Sequence, residues 1–258
     1  MTSGPHTAEQ PTLNKDVPWD SFDPGAYIGN NYLDMKAVDE EIVSRVRDHF
    51  SDRLRGSDRV LAGIDVGAGP NLYPSLAMLP WCKRITLLEW SANNIEYLER
   101  QRPSYDAHWE PFWKVLREDR AYRGFDPKAY FRRAAEPVQG SLFDLCRKDP
   151  QWDVGTMFFV AESITESLEE FRRGVSCFMH VLRPDAPFAA AFMEHSEGYR
   201  VGDLEFPATY EIDTTEVLTA FQEFAHIDKK DVHRMADVGH LVRHGHTGMI
   251  LVCGRRKE

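Results

Sequence analysis

The sequence predicts an α/β fold: a doubly wound, Rossmann-like domain around a mostly parallel sheet of seven strands. Three observations predict it. Short apolar runs alternate with segments of helical periodicity, the pattern of strand–helix–strand units. The first run, ending Ile64-Asp65-Val66, enters a tight Gly-x-Gly turn, Gly67-Ala68-Gly69. The next run, Ile85-Thr86-Leu87-Leu88, closes on an acidic residue, Glu89. Paired glycines let the backbone approach a ligand closely, and a carboxylate on the neighbouring strand tip accepts hydrogen bonds from both hydroxyls of a ribose.

The elements follow in order. Residues 1–18 carry Pro5, Pro11 and Pro18 among polar residues and read as a disordered arm, leaving 19–258 as a single domain. Trp19, Phe22, Tyr27 and Tyr32 then stand among proline and glycine breaks. With the helix that follows, they make an N-terminal lid over 19–55. That helix, 35–54, places Val38, Ile42, Val46 and Phe50 four apart and loads its first half with Asp34, Asp39, Glu40 and Glu41, where negative charge suits the helix dipole. Strands are expected at 60–66, 84–89, 135–139, 152–159, 188–193, about 227–235 and 247–253. Helices are expected near 71–79, 91–101, 168–181 and 214–225. The last strand follows a turn rich in histidine and glycine, and pairing with its predecessor would add an antiparallel edge. Residues 103–137, with Trp109, Phe112, Trp113, Phe125, Tyr130 and Phe131, are too long for a simple loop and read as a helical insertion.

Composition excludes several classes. The formal net charge of −10 argues against a nucleic-acid partner, because phosphate binding leaves a basic footprint. No apolar run approaches the ~20 residues that cross a bilayer, so no membrane association is expected. Residues 1–15 lack the apolar core of a secretory signal. Cys82, Cys146, Cys177 and Cys253 are scattered without a CxxC pair and read as reduced thiols of a cytoplasmic protein. His240, His244 and His246 lack a cysteine partner or a helical HxxxH frame. A hairpin turn is the better reading, and no metal is expected.

A dinucleotide fingerprint would want a third glycine at position 72, which is leucine, and no Gly-Lys-Ser/Thr follows for a nucleotide triphosphate. S-adenosylmethionine, an adenosine without a pyrophosphate, fits the turn best. Beyond the turn, the chain resembles the nicotinamide/phenylethanolamine/thioether methyltransferase family from about residue 22 to the C-terminus. Phe22-Asp23-Pro24-Gly25-Ala26-Tyr27 followed by Asn31-Tyr32 is similar to its FxPxxY…Y segment. Asp65-Val66-Gly67-Ala68-Gly69-Pro70-Asn71-Leu72-Tyr73 is similar to its D-[IV]-G-[SA]-G-P-x-x-Y loop, and Glu89-Trp90-Ser91-Ala92-Asn93-Asn94 to its acid-[YW]-S-x-x-N signature. His108-Trp109-Glu110-Pro111 and Gly202-Asp203-Leu204-Glu205-Phe206 match two later elements.

The resemblance implies an S-adenosylmethionine-dependent enzyme, monomeric by default, that methylates a small molecule, an amine or N-heterocycle. Natural-product biosynthesis in a bacterium is one setting. Tyr27 and Tyr32 would cover the cofactor. Gly67, Ala68 and Gly69 would line its methionine portion, with Tyr73 near the carboxylate. Glu89 would hold the ribose, with Asn94 close by. The family places an aspartate beside the adenine amine; here Ser141, next to Leu142, is the nearest match, with Asp144 three residues on. On the acceptor side, Glu162 at the fourth strand end and Tyr199 after the fifth could face the substrate, as could Phe206 and Tyr210. An aliphatic ammonium must lose a proton before it can be methylated, so Glu194 is expected as the amine anchor and His195 as an accessory proton acceptor. The altered adenine position leaves open a cofactor-binding protein without methyl transfer, and oxygen or sulfur remain alternative methyl acceptors.

Overall fold

The computed structural model describes residues 10–56, 61–236 and 245–258. Two short 3-10 turns, Asn14–Asp16 and Trp19–Ser21, lead into helix α1 (Pro24–Asn31). The side chain of Asp23 accepts from the amides of Gly25 and Ala26, and Pro24 stands in the first turn, where its missing N–H costs nothing. Helix α2 (Ala37–Leu54) turns Ile42, Val46 and Phe50 inward, and each is fully buried. Full burial of such side chains contributes about 1.5–3 kcal/mol apiece.

The doubly wound alternation follows: β1 (Leu61–Val66), α3 (Tyr73–Met78), β2 (Cys82–Glu89), α4 (Ala92–Gln101), α5 (Glu110–Leu116), α6 (Pro127–Ala134), β3 (Ala135–Gln139), β4 (Val154–Phe158), α7 (Leu168–Val181) and β5 (Pro187–Glu194). A hairpin of β6 (Tyr199–Val201) and β7 (Leu204–Phe206) precedes α8 (Thr214–Phe221), β8 (Ala225–His226), β9 (Val232–Ala236) and β10 (Gly248–Arg256). The main sheet has the order β3-β2-β1-β4-β5-β10-β8, with β9 also paired to β10. Strands β1–β5 are mutually parallel, and β10 is antiparallel to all its neighbours.

One sequence expectation changes here. The expected sixth strand is two pieces, β8 and β9, separated by the polar 3-10 turn Lys229–Asp231. The last strand does pair antiparallel with its predecessor; within that antiparallel edge β10 is the inner strand, between β5 and those two pieces, and Gly248–Gly254 are all buried. A run that is apolar on both faces needs cover from two layers and a partner on each side.

One face of the sheet carries α2, α3 and the insertion, whose Trp109, Phe112, Tyr122 and Phe131 are fully buried. The Tyr122 hydroxyl donates to the Ala77 carbonyl at 2.7 Å, fastening the insertion to α3. The other face carries α7 and α8. A third cluster joins Val17, Trp19 and Phe22 to Tyr199, Val201 and Phe206 of the hairpin.

The arm drawn to residue 18 is too long. The amides of Thr12 and Asn14 donate to Glu166 and Glu170, and Val17 is buried. The cysteine reading is also corrected. Cys146 and Cys177 form a disulfide between the turn after β3 and α7, while Cys82 and Cys253 are free and buried. Residues 31 apart in sequence meet only because α7 packs on that turn. His240 and His244 lie outside the described residues; His246 is buried. No helix among the described residues is long and apolar enough to cross a membrane.

Candidate active site

Strand order reverses between β1 and β4, and open α/β sheets bind ligands in the crevice beyond the carboxyl ends of the strands at that point. A cleft of about 790 Å³, counted out to its mouth, opens there. Its floor is the loop after β1. Gly67 has φ +62°, and a Cβ on it would meet Val160 Cγ1 at 2.5 Å, so only glycine fits. Gly69 has φ +52° and donates its N–H to Glu89 Oε2 at 2.8 Å. The Ser91 amide donates to the other oxygen, Oε1, at 2.7 Å. Glu89 is therefore gripped between the glycine turn and the start of α4, with the Asn94 side chain and the Trp90 amide also donating to it. Burial pushes its carboxyl up, and the hydrogen bonds from Ser91 and Gly69 only partly oppose that.

Two buried polar atoms of the cleft lining have no hydrogen-bond partner among the described residues: Asn94 Oδ1, an acceptor, and Asn71 Nδ2, a donor. Buried polar groups are ordinarily paired, so both are suited to a bound polar molecule. Below the lining, Asp65 accepts from the Thr156 hydroxyl at 2.7 Å, and burial pushes its carboxyl up to about 8.

The far wall is Gly140, Ser141 and Leu142. Ser141 Oγ accepts from the Phe143 amide at 3.1 Å, capping the turn Leu142–Arg147. Asp144 is exposed and pairs with Arg147 at 3.8 Å, so Ser141, not Asp144, stands in the cleft. Trp90 also lines it, 49% exposed.

Trp19, Phe22, Tyr27, Tyr32 and Tyr199 roof the cleft. Phe22 contacts Tyr27 (ring centroids 5.2 Å apart), Tyr27 contacts Tyr32 (5.8 Å), and Tyr32 leans on Trp109 of the insertion (5.5 Å). Polar ties fix the roof to α4: Asp20 accepts from the Ala92 amide, and Asn93 donates to the carbonyls of Asp20 and Phe22.

The cleft thus gathers nine residues singled out in the sequence for the cofactor — Tyr27, Tyr32, Gly67, Ala68, Gly69, Glu89, Asn94, Ser141 and Leu142 — and Tyr199 from the acceptor side. Tyr73 is not among them; it is buried beneath, stacked on Phe112 at 5.3 Å. Glu162 is fully buried, and its Oε1 accepts from the Met193 amide and the Ser163 hydroxyl, which pins the loop after β4 to β5. Phe206 packs in the roof's third cluster, and exposed Tyr210 sits against His195.

The structure places the expected catalytic pair away from the cleft. Neither Glu194 nor His195 lines the cleft. Arg234 of β9 clamps Glu194 through Nε and Nη2 at 2.6–2.9 Å, and Thr247 donates to Oε2. Burial pushes the Glu194 carboxyl up, but these hydrogen bonds outweigh it and hold the group below its ordinary range. That carboxylate already has its cation. His195 adopts φ +53° and its Nδ1 faces Thr247 Oγ1 at 3.0 Å.

Sequence reasoning missed Asn71, Trp90 and Phe159 as lining residues. Asn71 and Trp90 adjoin motif residues, and that adjacency was the available signal. Phe159 had none, because its φ of +58° turns it in a way no spacing reports.

The residues fit S-adenosylmethionine on these observations: a carboxylate lining the cleft at a strand tip, an unpaired donor and acceptor, a glycine cradle and ring faces for a cation. A sequence model of the NNMT/PNMT/TEMT family matches residues 10–257. No curated protein matches the chain. Among solved structures, the N-methyltransferase NodS of Bradyrhizobium japonicum WM9, in complex with S-adenosyl-L-homocysteine, superposes with a TM-score of 0.55 at 12% identity, covering 91% of this chain and 97% of that one. A SAM-dependent methyltransferase of Methanosarcina mazei gives 0.56 at 12% identity, covering 87% of this chain and all of that one. At such identities these likenesses concern the fold.

Proposed function

The chain belongs to the NNMT/PNMT/TEMT family of S-adenosylmethionine-dependent methyltransferases, and from that premise we propose that it methylates a nitrogen of a small molecule. The observation that carries this reading is the aromatic roof of the cleft: Trp19, Phe22, Tyr27, Tyr32 and Tyr199 line it, a wall that suits a compact acceptor better than a polymer. The net charge of −10 also disfavours nucleic acid. The choice of nitrogen follows the family's name and the N-methyltransferase among the fold relatives.

When bound, the cofactor supplies an activated methyl group on a sulfonium. The chain's own residues do the rest. Glu89 would accept from the ribose hydroxyls, and Asn94 and Asn71 would pair their unused Oδ1 and Nδ2 with the ligand. The glycine loop lets the backbone approach closely, and Tyr27 and Tyr32 offer ring faces to positive charge while excluding water. Ser141 and Leu142 would wall the adenine end, with Trp90 at the rim.

The test is calorimetry with S-adenosylhomocysteine, followed by mass spectrometry of amine, thiol and phenol panels incubated with methyl-labelled cofactor. Wild type is expected to bind, and Glu89→Ala to lose affinity by about 100-fold or more, since two amides lose their acceptor along with the ribose contact. Unchanged binding by Glu89→Ala, or label appearing only on oxygen or sulfur, would refute the corresponding part.

A further inference from the structure

A second, smaller cavity adjoins the cofactor cleft. Counted out to its mouth it spans about 310 Å³, and it shares Tyr27, Tyr32 and Phe159 with the cleft; Met193, Met249 and Asp39 complete its working surface. We propose that this chamber is the acceptor pocket and that Asp39 anchors a cationic nitrogen of an aryl or alkyl amine there. The inference rests on reading the larger cleft as the cofactor site.

Charge is the first argument. Asp39, in the first turn of α2, is 4% exposed, and among the described residues no lysine or arginine nitrogen comes within ion-pair distance of its carboxylate. Glu194 makes the contrast, with its carboxylate fully engaged by Arg234. A carboxylate buried without a counter-ion is costly, and an entering ammonium would supply the missing charge. Lys36 also borders the chamber, but its Nζ donates to the Asn30 carbonyl at 3.3 Å on the exposed rim. Burial pushes the Asp39 carboxyl up to about 6, the charge and amide of Lys36 opposing; the group is still mainly ionised at pH 7.5.

Shape is the second argument, and independent of the first. Phe159 holds φ +58°, a left-handed conformation that costs a non-glycine residue about 1–2 kcal/mol. Its amide donates to the Ala191 carbonyl at 2.7 Å, which fixes the distortion between β4 and β5. The outcome is a ring on the boundary of both cavities. Strain of this kind gathers at functional sites. Phe159, Tyr27 and Tyr32 offer aromatic faces to a cation, and the two methionines give an adaptable apolar floor for its carbon skeleton.

The experiment is calorimetric titration of the full-length protein, saturated with S-adenosylhomocysteine, with benzylamine and its neutral analogue benzyl alcohol at pH 7.5. Wild type should prefer the amine. Asp39→Asn should lose about 10-fold or more in amine affinity, with binding of the alcohol and of S-adenosylhomocysteine unchanged, and Asp39→Glu should keep the preference. The wild type carries its own check should the variant fold poorly. Amine affinity should fall about 10-fold from pH 7.5 to 5 as Asp39 takes up a proton. The other groups facing it are Lys36, Tyr27, Tyr32 and Tyr73, and burial pushes the Tyr32 and Tyr73 hydroxyls up, away from that range. An Asp39→Asn protein that binds the amine as well as wild type does, or a wild type indifferent to the amine or to pH, overturns the assignment while leaving the cofactor site standing. Failure of wild type to bind S-adenosylhomocysteine overturns both.

Discussion

Gly67→Ala tests the geometry of the glycine turn most directly. The added Cβ would sit 2.5 and 2.6 Å from the two methyls of Val160 and 3.2 Å from its Cβ, at a residue whose φ is +62°. The left-handed conformation costs alanine about 1–2 kcal/mol, and forcing atoms into a packed interior costs about 1–3 kcal/mol more. The sum is about 2–5 kcal/mol, a large fraction of the stability of an ordinary domain. Val160→Ala by itself removes two methyls and should cost about 1.5 kcal/mol. In the double variant the two closest contacts vanish, so the steric share is recovered and only the backbone strain remains. The double-mutant cycle should therefore show a favourable coupling of about 1–3 kcal/mol. Urea unfolding of the four proteins without cofactor gives these values, and calorimetry with S-adenosylhomocysteine gives the accompanying loss of affinity. Strict additivity, or a Gly67→Ala protein as stable as wild type, would refute the claim that Val160 confines the turn.

Glu194→Gln should lower stability by about 1–2 kcal/mol at pH 7 and leave S-adenosylhomocysteine affinity unchanged, because the ion pair with half-exposed Arg234 lies outside the cleft. The folded Glu194 titrates below its ordinary value. The wild-type advantage is therefore present above that ordinary value and lost as pH falls through the folded one, so the denaturant midpoints of wild type and variant should approach each other as pH falls from 7. Asp39→Asn carries the opposite sign. With the folded carboxyl raised from 3.8 to about 6, wild type loses stability as pH rises through that window, and the variant should gain on it by about 1–3 kcal/mol between pH 4 and 7. Equal differences at both pH values would contradict the uncompensated burial. Removing the Cys146–Cys177 bond by Cys146→Ser should cost about 3–4 kcal/mol, from the chain entropy of the loop it closes. Thiol counting on the denatured, unreduced protein should find two free thiols, and four would exclude the bond.

Much of the candidate cofactor cleft was legible because its residues are local in sequence. Gly67, Ala68 and Gly69 follow one strand and Glu89 ends the next, and parallel neighbours bring such ends together by rule. Helix α7 spans the expected residues, Leu168–Val181, with the Ser167 side chain accepting from the Glu170 amide at its start. The acceptor side was not legible in the same way. Glu194 has the residue type and strand-end position of an amine anchor, yet Arg234 reaches it from a strand 40 residues later. Asp39 looked like one of several acidic residues suited to a helix start, since nothing local separates it from Glu40, which is exposed.

The sequence by itself determined the order of elements, the glycine turn, the carboxylate at the second strand's tip and the aromatic segment that covers the cleft, because each is written in periodicity or in residues a few positions apart. Tertiary structure alone decided which carboxylate keeps an open charge, which cysteines meet, and that β10 lies inside the sheet. Those outcomes depend on segments far apart in the chain, whose proximity is set by packing across the sheet, and no local pattern encodes it.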